Sequence, residues 1–330
     1  MLKYILSGWM MLYLALPTGA QMNQPVKYKE EVFQAITVQR NLDYVSDAPV
    51  GRKGRSTLYD LYQPREDSTS FRPLIIWMHG GGFKFGSKEE AAIRLWSAGF
   101  ARRGYVCAAI NYRLGKKFER FDFDGLVRGC YAAIQDARLA IAYFRHNASR
   151  LRIDTNRIVL AGNSAGGIMA LQIAFSNDTE LMQLIGSPGI GSPVIGSPDS
   201  GLTGGAAQSG LISRAPEPGH IAAVVNFWGG IFQTSWLKTV RVPIVSVHGK
   251  KDRVVPIDHK GFPLYGSLAI HRAADSLSIP NRLKIYDDYA HQLQRHFFPL
   301  FAGPAAKRRW EEAGQFAADF LYQTLFEGVK

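Results

Sequence analysis

Five short, uninterrupted apolar segments are spaced along the central and C-terminal parts of the chain. They occupy residues 73–78, 105–110, 158–161, 221–225 and 243–247, and residues 283–286 form a final strand-like segment. Continuous apolar runs of this length are typical of strands that are covered on both faces. The pattern therefore predicts a sheet with packed layers above and below it.

Helical patterns separate these runs. Apolar residues recur at steps of three and four between residues 130 and 144, and again between residues 310 and 321. Residues 35–45 and 56–63 instead alternate apolar with polar residues, which predicts an antiparallel opening pair. Strands that alternate with helices imply parallel crossovers. We therefore predict an α/β fold whose mostly parallel, eight-stranded sheet carries helices on both faces.

The N-terminal 20 residues have the pattern of a secretory signal peptide. Lys3 precedes an apolar stretch over residues 4–16, and small residues lead up to Ala20. The stretch is shorter than the roughly 20 residues of a spanning helix, so cleavage after Ala20 is favoured over an uncleaved anchor. We therefore expect a secreted or periplasmic protein with no membrane span after signal removal.

Residues 21–330 are predicted to form a single domain with one insertion. Ile-Gly-Ser-Pro occurs three times between residues 185 and 198, and more glycine and serine follow up to about residue 218. Such a composition does not build a packed core. We interpret this stretch as an insertion and favour a passive surface loop over a lid, while its role stays open.

Composition excludes several classes of function. The chain of 330 residues carries a net charge of +12, but its basic residues are scattered and form no long basic run with interleaved aromatics, which argues against nucleic-acid binding. We found no metal-binding or nucleotide-binding motif, so neither a metal nor a cofactor is predicted. Cys107 and Cys130 are too few for a disulfide scaffold, and whether they pair is left open.

The segment Gly162-Asn163-Ser164-Ala165-Gly166 fits G-x-S-x-G between a predicted strand and a predicted helix. In that context the serine lies on a sharp turn, with its hydroxyl projecting from the end of the sheet. A glycine-rich helix start is the alternative. The flanking strand and helix favour Ser164 as a catalytic nucleophile.

A second glycine-rich segment, His79-Gly80-Gly81-Gly82-Phe83, follows the predicted third strand. An H-G-G-G turn is the known companion of G-x-S-x-G, because its backbone amides stabilise an oxyanion. The occurrence of both segments in one chain is far more specific than either alone.

A serine nucleophile needs a base, and the base needs an acid that orients it. Asp252 follows the strand at residues 243–247, and His291 follows the last strand. Their order, serine then acid then histidine, is that expected for this chemistry. His296 is the competing candidate for the base, and we favour His291. Ser164, Asp252 and His291 are therefore the predicted catalytic residues.

This set of segments resembles the α/β-hydrolase fold, and within it the esterase/lipase branch that carries the H-G-G-G loop. It looks closest to bacterial secreted carboxylesterases, which include feruloyl and acetyl-xylan esterases. The resemblance covers roughly residues 35 to 325 and includes Asn-Tyr-Arg-Leu at residues 111–114 and Asp-Arg-Val-Val-Pro at residues 252–256. It implies that the amides of Gly81, Gly82 and Ala165 are the oxyanion donors.

The resemblance implies ester hydrolysis on a small-molecule or polysaccharide-linked ester. A short-chain lipase or esterase of general specificity, a serine peptidase and a small-amide hydrolase remain alternatives, as does a non-catalytic binding module. Phe83, Phe85, Trp228 and Phe232 lie near predicted strand ends. They either line an aromatic acyl pocket or pack in the core, and the sequence does not decide between the two. Oligomeric state is not predicted.

Overall fold

One eight-stranded sheet forms the centre of the molecule. The computed structural model describes residues 25–45, 55–115, 123–185, 221–259, 261, 263–295 and 303–327. The strands of the sheet are β1 (Ile36–Asp43), β2 (Leu58–Pro64), β3 (Arg72–Met78), β4 (Val106–Ile110), β5 (Ile153–Asn163), β6 (Ile221–Phe227), β7 (Ile244–Gly249) and β8 (Asn281–Tyr286). Their spatial order is β1-β2-β4-β3-β5-β6-β7-β8.

Strand direction follows the predicted pattern. β2 runs antiparallel to both β1 and β4, and all other neighbouring pairs are parallel. The chain passes from β4 back across β3 to β5, so the carboxyl ends of β3 and β5 lie side by side, with Met78 opposite Gly162. The prediction of a mostly parallel, eight-stranded sheet with antiparallel opening strands is confirmed.

Helices cover both faces of the sheet. They are α1 (Ala91–Arg102), α2 (Phe123–His146), α3 (Ala148–Leu151), α4 (Ala165–Phe175), α5 (Asp178–Ile185), α6 (Ser267–Ser276) and α7 (Pro304–Tyr322). α1 and α7 pack on one face, where Trp77 of β3 lies, and α2, α4 and α6 pack on the other, where Ile76 lies. Because successive strand residues enter different cores, these strands are apolar throughout.

The two cysteines lie in these two separate cores. Cys107 is on β4 and packs toward α1 and α7, whereas Cys130 is on α2 and packs against the opposite face. Both are buried free thiols. The sheet between them explains why the disulfide that the sequence left open does not form.

Some predictions fall outside the described residues. These are the signal peptide at residues 1–20 and almost all of the insertion at about residues 185–218, of which the structure describes only Ile185, the end of α5. The division of the chain into a leader and one domain therefore stays a prediction. No helix in the described ranges combines the length and the apolar character that crossing a bilayer requires.

Candidate active site

Ser164 lies at a sharp turn between the end of β5 and the start of α4. Its backbone has φ 52° and ψ −118°, a strained combination for a residue with a side chain. The turn leaves no room for a side chain on either side of Ser164, and glycine at residues 162 and 166 meets this requirement. A Cβ on Gly162 would lie 2.4 Å from the carbonyl carbon of Gly166, and one on Gly166 would lie 2.0 Å from the Met78 oxygen.

The three predicted catalytic side chains form one chain of hydrogen bonds. Ser164 Oγ lies 2.9 Å from His291 Nε2, and His291 Nδ1 lies 2.7 Å from Asp252 Oδ2. The carboxylate is an acceptor, so Nδ1 carries the proton and Nε2 is left to accept from the serine hydroxyl. The other predicted base, His296, lies outside the described residues.

Asp252 is held as a buried anion. Its Oδ1 accepts hydrogen bonds from the amides of Val254 at 2.8 Å and Val255 at 3.0 Å. Burial raises the pKa of Asp252, but hydrogen bonds from His248 and His291 outweigh this effect and hold the pKa well below its usual range. The carboxylate is therefore charged over the whole neutral pH range and faces the His291 ring.

Side chains of α7 hold the loop that carries His291. Gln292 and Leu293 adopt positive φ angles of 57° and 56° directly after the histidine. Trp310 Nε1 donates to the Gln292 oxygen at 2.9 Å, and Arg309 Nε donates to the Leu293 oxygen at 2.7 Å. These two bonds to the backbone hold the turn that directs His291 toward Ser164.

The glycine-rich segment after β3 forms a tight turn beside Ser164. The oxygen of Gly81 accepts from the amide of Phe85 at 3.0 Å, and Gly81 has φ 111°. A Cβ on Gly81 would lie 2.2 Å from the Phe85 oxygen. A Cβ on Gly80 would lie 3.4 Å from the Ser164 Cβ, so the turn passes directly over the serine.

The three predicted oxyanion donors are backbone amides of the glycine-rich turn and of the start of α4. Within the described residues, none of the hydrogen bonds uses the amides of Gly81, Gly82 or Ala165. The amide of Ala165 belongs to the first turn of α4, where backbone donors have no partner in the helix and the helix dipole favours negative charge. Two of the predicted donors thus belong to the turn after β3, and the third follows Ser164 directly in the chain.

Sequence reasoning missed Glu90, which links the two halves of the site. One of its oxygens accepts from the Gly80 amide and the other from Asn163 Nδ2, each at 3.1 Å. Burial raises the pKa of Glu90, and these two hydrogen bonds only partly oppose it. Glu90 precedes α1 in a Lys-Glu-Glu run that resembles a solvated surface segment. No sequence signal separated it from its neighbour Glu89.

The Asn-Tyr-Arg-Leu segment supports the glycine-rich turn from behind. The Tyr112 hydroxyl donates to the His79 oxygen at 2.7 Å, and the two rings stack with centroids 4.2 Å apart. Arg113 forms an ion pair with Asp136 of α2 at 2.5 Å. The segment thus connects the glycine-rich turn after β3 with α2 through side-chain contacts.

The four aromatic residues proposed for an acyl pocket have different environments. Phe85 is 54% exposed at the tip of the glycine-rich turn. Trp228 is fully buried in the core beneath α1 and α7, so core packing explains it better than substrate contact. Phe83 packs against Tyr112, and Phe232 packs in the core beside α4. Only Phe85 presents a substantial exposed surface.

The strand order and the elbow beside the glycine-rich turn define an α/β-hydrolase fold. Thermogutta terrifontis esterase 2, solved in a form phosphorylated by paraoxon, has the same fold, with a TM-score of 0.57 and 20% identity over 91% of this chain and 97% of the other.

The BD-FAE family profile matches residues 59–231, which is 173 of the 330 residues, and the chain belongs to this family. Individual relatives match over shorter stretches. Gut esterase 1 of Caenorhabditis elegans is 30% identical over 32% of this chain and 18% of its own length. Esterase LipQ of Mycobacterium tuberculosis is 30% identical over 42% of this chain and 30% of its own length. Neuroligin-like protein glit-1 of C. elegans is 36% identical over 28% of this chain and 12% of its own length. The chain thus spans less than a third of each of these relatives.

Proposed function

We propose that this protein is a serine carboxylesterase that forms an acyl-enzyme on Ser164. The observation that carries the proposal is the continuous hydrogen-bonded chain from Ser164 through His291 to Asp252. A serine hydroxyl is a weak nucleophile unless an adjacent base takes its proton. The family and the esterases among its relatives support the same chemistry.

In the first step, Ser164 Oγ attacks the ester carbonyl carbon while its proton passes to His291 Nε2. The carbonyl oxygen becomes an anion that accepts from the amides of Gly81, Gly82 and Ala165. One such donor typically lowers the barrier by about 3–4 kcal/mol. Asp252 stabilises the positive imidazole that forms. The tetrahedral intermediate then collapses, the His291 proton passes to the leaving alcohol, and an acyl-serine remains.

In the second step, water replaces the alcohol. His291 takes a proton from water, the resulting nucleophile attacks the acyl carbonyl, and the same three amides hold the new oxyanion. Collapse of this intermediate returns the proton to Ser164 and releases the carboxylic acid. The cycle needs no group beyond the side chains and amides described above.

For the substrate, we propose feruloyl or acetyl esters of plant polysaccharide, met after export of the protein to the periplasm or the medium. Phe85 supports this choice, because an exposed aromatic ring next to the oxyanion turn offers a stacking surface for an aromatic acyl group. The N-terminal signal pattern supports export. A general short-chain esterase is the alternative substrate class.

The first experiment tests the nucleophile. The purified protein should hydrolyse p-nitrophenyl acetate, and paraoxon should add one phosphoryl group on Ser164 that peptide mass spectrometry locates. Ser164→Ala should lose both reactions. Ser97→Ala is the matched control, because Ser97 is buried in α1 and its hydroxyl has no partner there. Undiminished hydrolysis by Ser164→Ala would overturn the proposal, and hydrolysis of p-nitroanilides in preference to esters would favour a peptidase or amidase.

The second experiment tests the acyl group. Phe85→Ala should lower kcat/KM for a feruloyl ester about fivefold and change acetyl ester turnover less, because only the aromatic acyl group stacks on the ring. Phe71→Ala is the matched control. Phe71 is 64% exposed, but it lies at the amino end of β3, whereas Phe85 follows the carboxyl end of that strand. Equal losses on both esters would argue against an aromatic acyl specificity.

A further inference from the structure

A buried chain of polar side chains runs behind the acid residue. Asn226 at the end of β6 donates through Nδ2 to Ser267 Oγ at 3.2 Å. Ser267 Oγ lies 2.8 Å from His248 Nδ1, and His248 Nε2 lies 3.3 Å from Asp252 Oδ2. All four side chains are at least nine-tenths buried. The chain thus leads to the carboxylate oxygen that His291 also contacts.

Backbone groups at both ends determine the direction of these hydrogen bonds. The Gly229 amide donates to Asn226 Oδ1 at 3.0 Å, so that oxygen accepts and Nδ2 must face Ser246 and Ser267. Ser267 Oγ therefore accepts from Asn226, and its own hydrogen is free to be donated to His248 Nδ1. The nitrogen that receives this hydrogen carries no proton.

The other end of the chain requires the same tautomer. His248 Nε2 lies 2.9 Å from the Val255 carbonyl oxygen and 3.3 Å from Asp252 Oδ2. Both partners are acceptors, so Nε2 must carry the proton. His248 therefore has its N–H on Nε2, where it is shared between the Val255 oxygen and Asp252 Oδ2.

We propose that His248 is a positioning residue for the catalytic acid: its Nε2 proton fixes the Asp252 oxygen that accepts from His291. This inference rests on the proposed function, because it assigns His248 a part in the same reaction. With two backbone amides on Oδ1 and two imidazoles on Oδ2, the carboxylate has no freedom to rotate. The acid that orients the base is thus itself oriented.

The contact also limits how strongly Asp252 attracts the His291 proton. A carboxylate oxygen shared between two donors is a weaker base than one with a single donor. Removal of the His248 donor should therefore make Asp252 hold the charged His291 ring more tightly. Among the described residues, Asp252 and His271 are the titratable groups that interact with His248, and His291 lies beyond the carboxylate.

Two substitutions of His248 distinguish the roles of its two ring nitrogens. His248→Gln keeps an N–H donor near the position of Nε2, whereas His248→Asn reaches only to the position of Nδ1 and leaves Asp252 without this donor. His271→Asn is the matched control, because His271 is a buried histidine on α6 that bonds Asn281 at 2.6 Å and does not contact Asp252. It reproduces the loss of a buried ring without touching the acid.

The measurement is the titration of the histidine rings by NMR in the full chain without substrate, together with the pH profile of kcat/KM for p-nitrophenyl acetate. We expect His248→Asn to raise the titration midpoint of His291 by about one pH unit. The acid limb of kcat/KM should move with it, with about a tenfold loss at pH values below both midpoints. His248→Gln and His271→Asn should keep the midpoint of the parent.

Nitrogen-15 shifts of His248 in the unmutated protein test the same inference without a variant. A proton on Nδ1 instead of Nε2 would overturn it, as would a folded His248→Asn protein whose His291 titrates as in the parent. A uniform loss of kcat/KM at all pH values would reduce His248 to a structural role. An unmutated protein with the expected His248 tautomer but no ester hydrolysis would instead refute the proposed function.

Discussion

Glu90→Leu should weaken both the fold and the candidate oxyanion turn. The carboxylate accepts from Gly80 and Asn163, and leucine leaves both donors buried without a partner. Each orphaned donor costs about 1–3 kcal/mol, and removal of a buried carboxyl group offsets part of the sum. We expect a loss of about 2–3 kcal/mol in the free energy of unfolding. Because Gly81 follows Gly80 directly, kcat should fall about tenfold.

Glu90→Gln should be tolerated for a reason that the structure supplies. Asn163 Oδ1 has no hydrogen-bond partner within the described residues. If the Asn163 amide turns over, this oxygen accepts from the glutamine nitrogen, while the glutamine oxygen still accepts from Gly80. Both contacts are then kept, and we expect a change below about 1 kcal/mol.

The same pair of proteins should differ in how stability depends on pH. Burial raises the pKa of Glu90 in the folded state above its unfolded value of 4.5. The folded protein thus binds more protons than the unfolded chain, and this contribution is complete below about pH 4.5 and is lost as pH rises through the folded value. Glu90→Gln should remove that part of the pH dependence.

Urea unfolding between pH 4 and pH 8 measures both effects, and kcat for p-nitrophenyl acetate reports on the turn. Glu311→Gln is the control, because Glu311 is an exposed glutamate on α7 that forms no hydrogen bond to the glycine-rich turn among the described residues. Should Glu90→Leu match the parent in stability and kcat, Glu90 does not hold the turn. A pH dependence that is unchanged in Glu90→Gln would contradict a raised pKa.

Two further predictions concern packing. Gly166→Ala should fail to fold or lose more than about 4 kcal/mol, because its Cβ would lie 2.0 Å from the Met78 oxygen, whereas Gly303→Ala, with open space around it, should match the parent in thermal unfolding. A soluble, stable Gly166→Ala protein would contradict this geometry. Burial raises the pKa of both Cys107 and Cys130, so a thiol reagent should label neither in the native protein and both after denaturation. Failure to label two thiols in denaturant without reductant would indicate a disulfide.

The sequence by itself determined the fold class and the elements of the site. Continuous apolar runs predicted the buried strands because each strand residue faces one core or the other, and this property is local. The G-x-S-x-G and H-G-G-G segments could likewise be recognised from the sequence. Gly162 meets a steric demand that is local, because a Cβ there would lie 2.4 Å from the carbonyl carbon of Gly166, four residues further along the chain.

Tertiary structure decided what depends on distance between remote segments. It showed that His291 reaches both Ser164 and Asp252, and it separated Cys107 from Cys130 by a sheet. It also distinguished exposed Phe85 from buried Trp228, although both follow predicted strands.

Glu90 and His248 were not found from the sequence, because their roles come from the partners they meet in space. In sequence, Glu90 follows charged residues as a surface glutamate would, yet in the structure it accepts hydrogen bonds from Gly80 and Asn163. In sequence, His248 looks like an ordinary buried residue near the end of a strand. Only the packing of the start of α6 against β7 places it between Ser267 and Asp252. Local sequence encodes the strand and the turn, whereas a hydrogen bond between distant residues exists only once the sheet has formed.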